Sequence, residues 1–171
     1  MDVTIKDGVA AEFAQVDEVI VSMLQSDVEM VESIGHYIVQ AGGKRMRPLL
    51  VLLSAKALGG IDPCHIRFAA VVEFIHTATL LHDDVVDLST LRRGKPTANA
   101  AFGNAPSVLV GDFIYTRAFQ LMVELKHMPL LAHMAETTNT IAAGEVMQLV
   151  HAGDPDTQAD QYQELIRRKT A

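Results

Sequence analysis

An all-α fold is predicted by three observations. Apolar residues recur at three- and four-residue steps through most of the chain. Aromatic residues make up only 5% of it and tryptophan is absent, whereas Ala, Leu, Met, Glu and Gln are plentiful. No alternating run long enough for a sheet strand interrupts the helical pattern. At 171 residues, 49% of them apolar, the chain has the length and composition of one packed domain, and disorder is excluded.

Val9, Phe13, Val16, Val19/Ile20 and Met23 define a first amphipathic helix over about 8–25. Val28, Val31, Ile34, Ile38 and Val39 repeat the pattern, and Gly42-Gly43 supplies a left-handed stop. The next helix begins near Arg47-Pro48, because a first-turn proline lacks only an N–H that would be unpaired there anyway. It continues from Leu49 to Leu58 and ends at Gly59-Gly60. Asp62 then reads as an N-cap with Pro63 behind it. Ile66, Ala69/Ala70, Val72, Ile75 and Thr79 carry the longest helix so far towards Asp87. Ser89 to Ala105, rich in Gly, Pro, Asn and Thr with two adjacent arginines, reads as a functional loop. Helices resume over about 106–126, 129–151 and 157–169, with Gly153-Asp154-Pro155 marking the last break.

Fourteen basic against 21 acidic side chains give a net charge of −7, which disfavours general nucleic-acid binding. One cysteine, Cys64, rules out an internal disulfide and a Cys-rich zinc site. The amino terminus lacks the basic start and uninterrupted apolar run of a signal peptide. No apolar run approaches the roughly 18 residues of a spanning helix, and the single cysteine fits a reducing cytosol, so a cytoplasmic protein is expected.

Three charged clusters carry the chemistry. His82-Asp83-Asp84-Val85-Val86-Asp87 places Asp83 and Asp87 four apart on one face of a helix end, where the dipole already disfavours anions. It is either a solvated acidic end or a site for Mg²⁺, an ion that takes few protein oxygens and is completed by water and substrate phosphate. Gly42-Gly43-Lys44-Arg45-Met46-Arg47-Pro48 delivers three cations to a helix start, as an anion site would, although a capped helix with solvated cations gives the same run. The order of a P-loop is absent. Leu91-Arg92-Arg93-Gly94-Lys95-Pro96-Thr97 adds three more cations just after Asp87; alone they would read as surface salt bridges. Two basic clusters bracketing an acidic one describe a site that holds polyanions and a divalent metal together.

GGKRMRP, EFIHTATLLHDDVVD, STLRRGKPTAN, GEVMQL and YQELIRRKTA stand in this order between residues 42 and 171. In order and spacing they resemble the motifs of the trans-polyprenyl diphosphate synthases, the all-helical isoprenoid synthase family, and within it the bacterial long-chain branch, whose products include octaprenyl diphosphate. The resemblance implies a helical bundle around a central cavity, here truncated to about its first half. It implies an enzyme that adds isopentenyl diphosphate head-to-tail to an allylic diphosphate, farnesyl diphosphate being the expected primer, with Mg²⁺ as cofactor and a homodimer as the assembly.

Asp83 and Asp87 would ligate Mg²⁺, with Asp84 helping between them. Lys44, Arg47 and His76 match the binders of isopentenyl diphosphate. Arg92 matches the contact to the allylic diphosphate and Arg93 that to isopentenyl diphosphate, while Arg45 and Lys95 add positive field. Lys169 would hold the allylic diphosphate, Thr170 would face the developing cation, and Gln148 would orient polar groups. The small pair Ala78 and Thr79 implies a long product, with Met122 and Met134 as candidates for the floor of the cavity.

The family's second aspartate-rich motif, expected after Lys169-Thr170, is not in the sequence. The reading is therefore the amino-terminal part, 1–171, of one synthase domain, inactive by itself. The alternatives are a non-catalytic diphosphate-binding subunit of a heteromeric synthase, a shorter-chain synthase and, more weakly, a metalloprotein using His65, His76 and His82.

Overall fold

The computed structural model describes residues 5–40 and 43–170. A 3₁₀ turn, Ile5–Val9, leads into α1 (Ala10–Met23), whose Phe13, Val16 and Ile20 lie one turn apart and are buried. Next come α2 (Glu29–Gln40) and α3 (Met46–Ala57), and α3 buries Pro48, Leu49, Leu52 and Ala55. Gly42, expected to help stop α2, lies outside the described residues.

The longest element of this half, α4 (Pro63–Val86), starts where its sequence says it should. Asp62 accepts hydrogen bonds from the backbone N–H of Cys64 (2.7 Å) and His65 (3.1 Å), and His65 Nδ1 accepts from the backbone N–H of Asp62 (3.1 Å). This is a reciprocal capping box with His65 in the usual Glu/Gln position. The helix buries Ile66, Ala69, Ala70, Val71, Phe74, Ile75, Ala78 and Leu81, which spread around its circumference because α1, α3 and α6 all pack on it. By length and composition α4 is apolar enough to cross a membrane, because Ala, Val and Leu raise its average without forming one unbroken run. Half of the qualifying stretch is buried in the fold, as befits a core helix.

Residues 91–96, expected as loop, form a minimal hairpin of β1 (Leu91–Arg92) and β2 (Lys95–Pro96), with Leu91 opposite Pro96 and Arg92 opposite Lys95. Its two turn residues, Arg93 (φ 54°) and Gly94 (φ 77°), both take positive φ, the requirement of the tight turn that matches strand twist. Four paired residues are too few to leave an alternating signature. Short α5 (Ala98–Phe102) and then α6 (Asn104–Glu124) follow; α6 buries Val110, Ile114, Ala118, Leu121 and Met122. These elements make one compact unit, residues 5–125.

A second unit, residues 126–170, consists of α7 (Met128–His151) and α8 (Ala159–Thr170). They meet closely at Gly144, where an added Cβ would stand 2.9 Å from Arg168 Cβ.

Candidate functional site

The phase of α4 separates the three aspartates. Asp84 continues the buried series Thr77, Leu81 and is itself only 2% exposed; Asp83 is half-buried and Asp87 exposed. Asp84 therefore faces the interior, turned towards Arg92. It grips Arg92 edge-on, accepting from Nη2 at 2.8 Å and from Nε at 3.1 and 3.2 Å. These bonds, together with the nearby Asp83 and Asp87 carboxylates, hold the Arg92 guanidinium above its ordinary pKa. Arg92, expected to meet a diphosphate, is anchored from behind by Asp84. Asn99 fixes the same corner by donating from Nδ2 to the carbonyls of Asp84 (3.2 Å) and Ser89 (3.1 Å), and Thr97 Oγ1 also donates to Ser89 O (2.8 Å).

The hairpin is docked from its other side by α2. Tyr37 Oη donates to Pro96 O at 2.8 Å, and Tyr37 packs edge-on against Phe102. Lys95 Nζ reaches Gln40 O at 3.5 Å, so Lys95 is occupied at the end of α2. The Arg93 guanidinium presses so closely over Gly43 that any Cβ there would collide with it.

A pocket of about 520 Å³ opens between these elements, lined by Lys44, Arg45, Arg47, Glu73, His76, Arg92 and Arg93 on its polar side and by Ile20, Ile38, Val39 and Leu80 on its apolar side. Of the predicted diphosphate ligands, Lys44, Arg47, His76, Arg92 and Arg93 are all brought to it. Arg45, which starts α3 in a left-handed conformation (φ 44°, ψ 49°), is held by an ion pair with Asp17 of α1. Burial, reinforced by Arg47, Arg93 and Arg92, pulls the His76 imidazole down to about 4. At neutral pH the His76 imidazole in this pocket is thus an uncharged hydrogen-bonding ring. Glu73 moves the other way: burial raises its carboxyl against the opposing fields of Arg45, Arg47 and Arg93.

Asp83 and Asp87, one turn apart at the end of the same helix, remain as the candidate metal ligands. Among the described residues no three His, Cys, Asp or Glu side chains form a metal cage. Two carboxylates on one helix face fit an ion that keeps water and shares phosphate oxygens, as Mg²⁺ does. The three histidines of the metalloprotein alternative are separately engaged: His65 caps α4, His76 lines the pocket, and His82 Nε2 lies 3.2 Å from Val108 O and 3.3 Å from Asp112 Oδ1.

In the second unit Lys169 Nζ donates to Glu145 Oε2 (2.9 Å) and Gln148 Oε1 (2.5 Å). Glu145 and Gln148, one turn apart on α7, thus share the Lys169 ammonium. The Thr170 side chain lies outside the described residues. Met122 and Met134 are both buried, on α6 and α7. Ala78 is fully buried, and Thr79 turns its hydroxyl to His76 O (2.8 Å).

Sequence reasoning missed Asp17 and Glu145 as partners of the named cations, and Glu73 as a residue of the pocket wall. Glu145 sat inside GEVMQL and Glu73 at the head of EFIHT; Asp17 lies 28 residues from Arg45 and left no local signal.

A family model described as polyprenyl synthetase matches residues 28–171. The chain is 54% identical over 167 residues to octaprenyl diphosphate synthase of Escherichia coli K12, covering 98% of the chain and 52% of that relative. It is 49% identical to the all-trans-nonaprenyl-diphosphate synthase (geranyl-diphosphate specific) of Rhodobacter capsulatus, covering 95% of the chain and 50% of that protein. Polyprenyl synthase from Caulobacter crescentus CB15, solved with calcium and isoprenyl diphosphate, superposes with a TM-score of 0.92 at 45% identity over 96% of the chain and 50% of that structure. The chain spans about half the length of the curated relatives it matches.

Proposed function

Because the chain belongs to the polyprenyl synthetase family, we propose that it is the portion of a trans-prenyltransferase that seats isopentenyl diphosphate in the basic pocket and receives an allylic diphosphate at Asp83 and Asp87. The pocket carries this reading: five cationic side chains and the neutral His76 converge at its rim, while Ile38, Val39 and Leu80 offer an apolar wall to a short hydrocarbon.

In the reaction, the allylic C–O bond ionises, diphosphate departs, and the alkene of isopentenyl diphosphate attacks the cation. A new C–C bond forms, the departed diphosphate takes up the proton lost from the resulting cation, and the product is an allylic diphosphate one isoprene unit longer. Mg²⁺ bound at Asp83 and Asp87 would offset charge on the departing diphosphate. Lys44, Arg47 and Arg93 orient the incoming diphosphate, and Asp84 holds Arg92 at the pocket wall. Lys169, steered by Glu145 and Gln148, is assigned to the allylic diphosphate, and Thr170 to the developing cation. The relatives named for eight- and nine-unit products support a long chain. Octaprenyl diphosphate for a quinone side chain, grown from farnesyl diphosphate by a homodimer, is the specific form of the reading.

Since the chain spans about half of those relatives, these 171 residues are proposed to bind without turning over. Calorimetric titration should detect isopentenyl diphosphate binding, weakened about tenfold in Arg47→Gln, roughly the loss of one charge-assisted hydrogen bond. Incubation with farnesyl diphosphate, isopentenyl diphosphate and Mg²⁺ should yield no long-chain product. Absence of binding, or equal binding by the variant, overturns the assignment of the pocket; long-chain synthesis overturns the proposed inactivity.

A further inference from the structure

Glu73 stands on α4 one turn before His76, and among the described residues lining the basic pocket it carries the one carboxylate. Two of the neighbouring cations already have acids of their own: Asp17 pairs with Arg45 and Asp84 with Arg92, and neither of those acids lines the cavity. They hold arginines in place from behind. Glu73 instead sets negative charge in the wall that a bound polyanion would face, where it opposes the ligand. Its carboxyl is raised by burial and feels the fields of Arg45, Arg47 and Arg93, as a group among those cations must.

We infer that Glu73 limits the affinity of this pocket for diphosphate, so that a diphosphate leaves it after each cycle. The need for release rests on the proposed function. In that reaction the diphosphate of isopentenyl diphosphate stays on the product, so the extended chain must vacate the pocket before the next unit enters. Without Glu73, the cations lining the cavity would face a trianion with no carboxylate in the wall beside them and would hold it too long; one carboxylate there shortens its stay.

The test is titration of inorganic pyrophosphate into the wild-type chain and into the Glu73→Gln variant, which keeps the shape of the side chain and removes its charge. Pyrophosphate should bind the variant about fivefold more tightly, and inorganic phosphate, with less charge, only about twofold, both gains shrinking in high salt. Glu73→Asp, which keeps the charge, should stay within about twofold of wild type, the scale of a small geometric change. Equal or weaker pyrophosphate binding by Glu73→Gln overturns the inference, since Glu73 would then be organising the arginines for the ligand. A wild-type chain that binds no pyrophosphate overturns the reading of the pocket itself, and the inference with it. Helical circular dichroism with an unchanged melting temperature keeps a folding defect from imitating any of these results.

Discussion

Replacing Asp84 with asparagine removes the charge that anchors Arg92 and leaves the volume of the side chain unchanged. The Asp84 side chain is 3% exposed and accepts three hydrogen bonds from Arg92, the shortest at 2.8 Å. Removing one partner of a buried pair costs about 3–5 kcal/mol, because the other charge stays buried without compensation. Here the Arg92 side chain is 34% exposed and can rehydrate in part. The expected loss is therefore about 2–3 kcal/mol, below the fully buried case. In a chain of this size about 2–4 °C of melting temperature goes with each kcal/mol, so the midpoint should fall by about 4–12 °C. Urea unfolding followed by helical circular dichroism should show a lower midpoint with an unchanged slope. A companion Arg92→Met change should recover part of the loss in the double variant, as coupled neighbours do. A loss below about 1 kcal/mol would put the pair in the class of surface bridges and refute the placement of Asp84 in the core.

Gly144→Ala should open the contact between α7 and α8. The new Cβ would stand 2.9 Å from Arg168 Cβ and 3.1 Å from the Lys169 backbone nitrogen, and backbone cannot yield as a side-chain end can. A destabilisation of about 1–3 kcal/mol is expected, read as faster hydrogen exchange across both helices. Unchanged protection would mean the helices do not meet at Gly144. His76 gives the pH prediction. Its value of about 4 in the fold lies below the 6.5 of an unperturbed histidine, so between these limits the unfolded chain takes up a proton that the folded chain refuses. The contribution of His76 to stability is thus complete above pH 6.5 and is lost as the pH falls towards 4. His76→Gln should flatten that part of the stability curve; equal slopes in the two proteins would refute the burial of the imidazole.

Most of the helical frame could be read from spacing and punctuation. Asp62-Pro63 starts α4 because a carboxylate and a proline both suit a first turn, and α7 and α8 are separated at Gly153-Asp154-Pro155 for the complementary reason. The hairpin could not be read, since its turn depends on Arg93, a residue with no special preference for positive φ, and on contacts from Tyr37 far along the chain. The unequal burial of the three aspartates lay within reach. Continuing the buried steps Thr77 and Leu81 by one more turn arrives at Asp84, which marks it as an interior acid in need of a cation. The wall of the pocket was harder to foresee, because the Asp17–Arg45 pair depends on how α1 lies beside the start of α3.

A net charge of −7 and a strongly cationic pocket coexist because binding responds to local field, while the overall sum governs solubility and long-range steering. Crowding Lys44, Arg45, Arg47, Arg92 and Arg93 around one cavity raises a repulsion that must be relieved by something other than bulk water, since burial removes part of the solvent that would screen it. Acids on other elements meet that need: α1 supplies Asp17, and the interior face of α4 supplies Asp84. Asp17 and the pocket-lining Ile20 precede residue 28, where the match to the family model begins. The pocket is therefore a product of the whole first unit. Two of its cations, Arg45 and Arg92, hold their places through acids that do not line the cavity, and a reading confined to the charged motifs overlooks Asp17, which lies outside all of them.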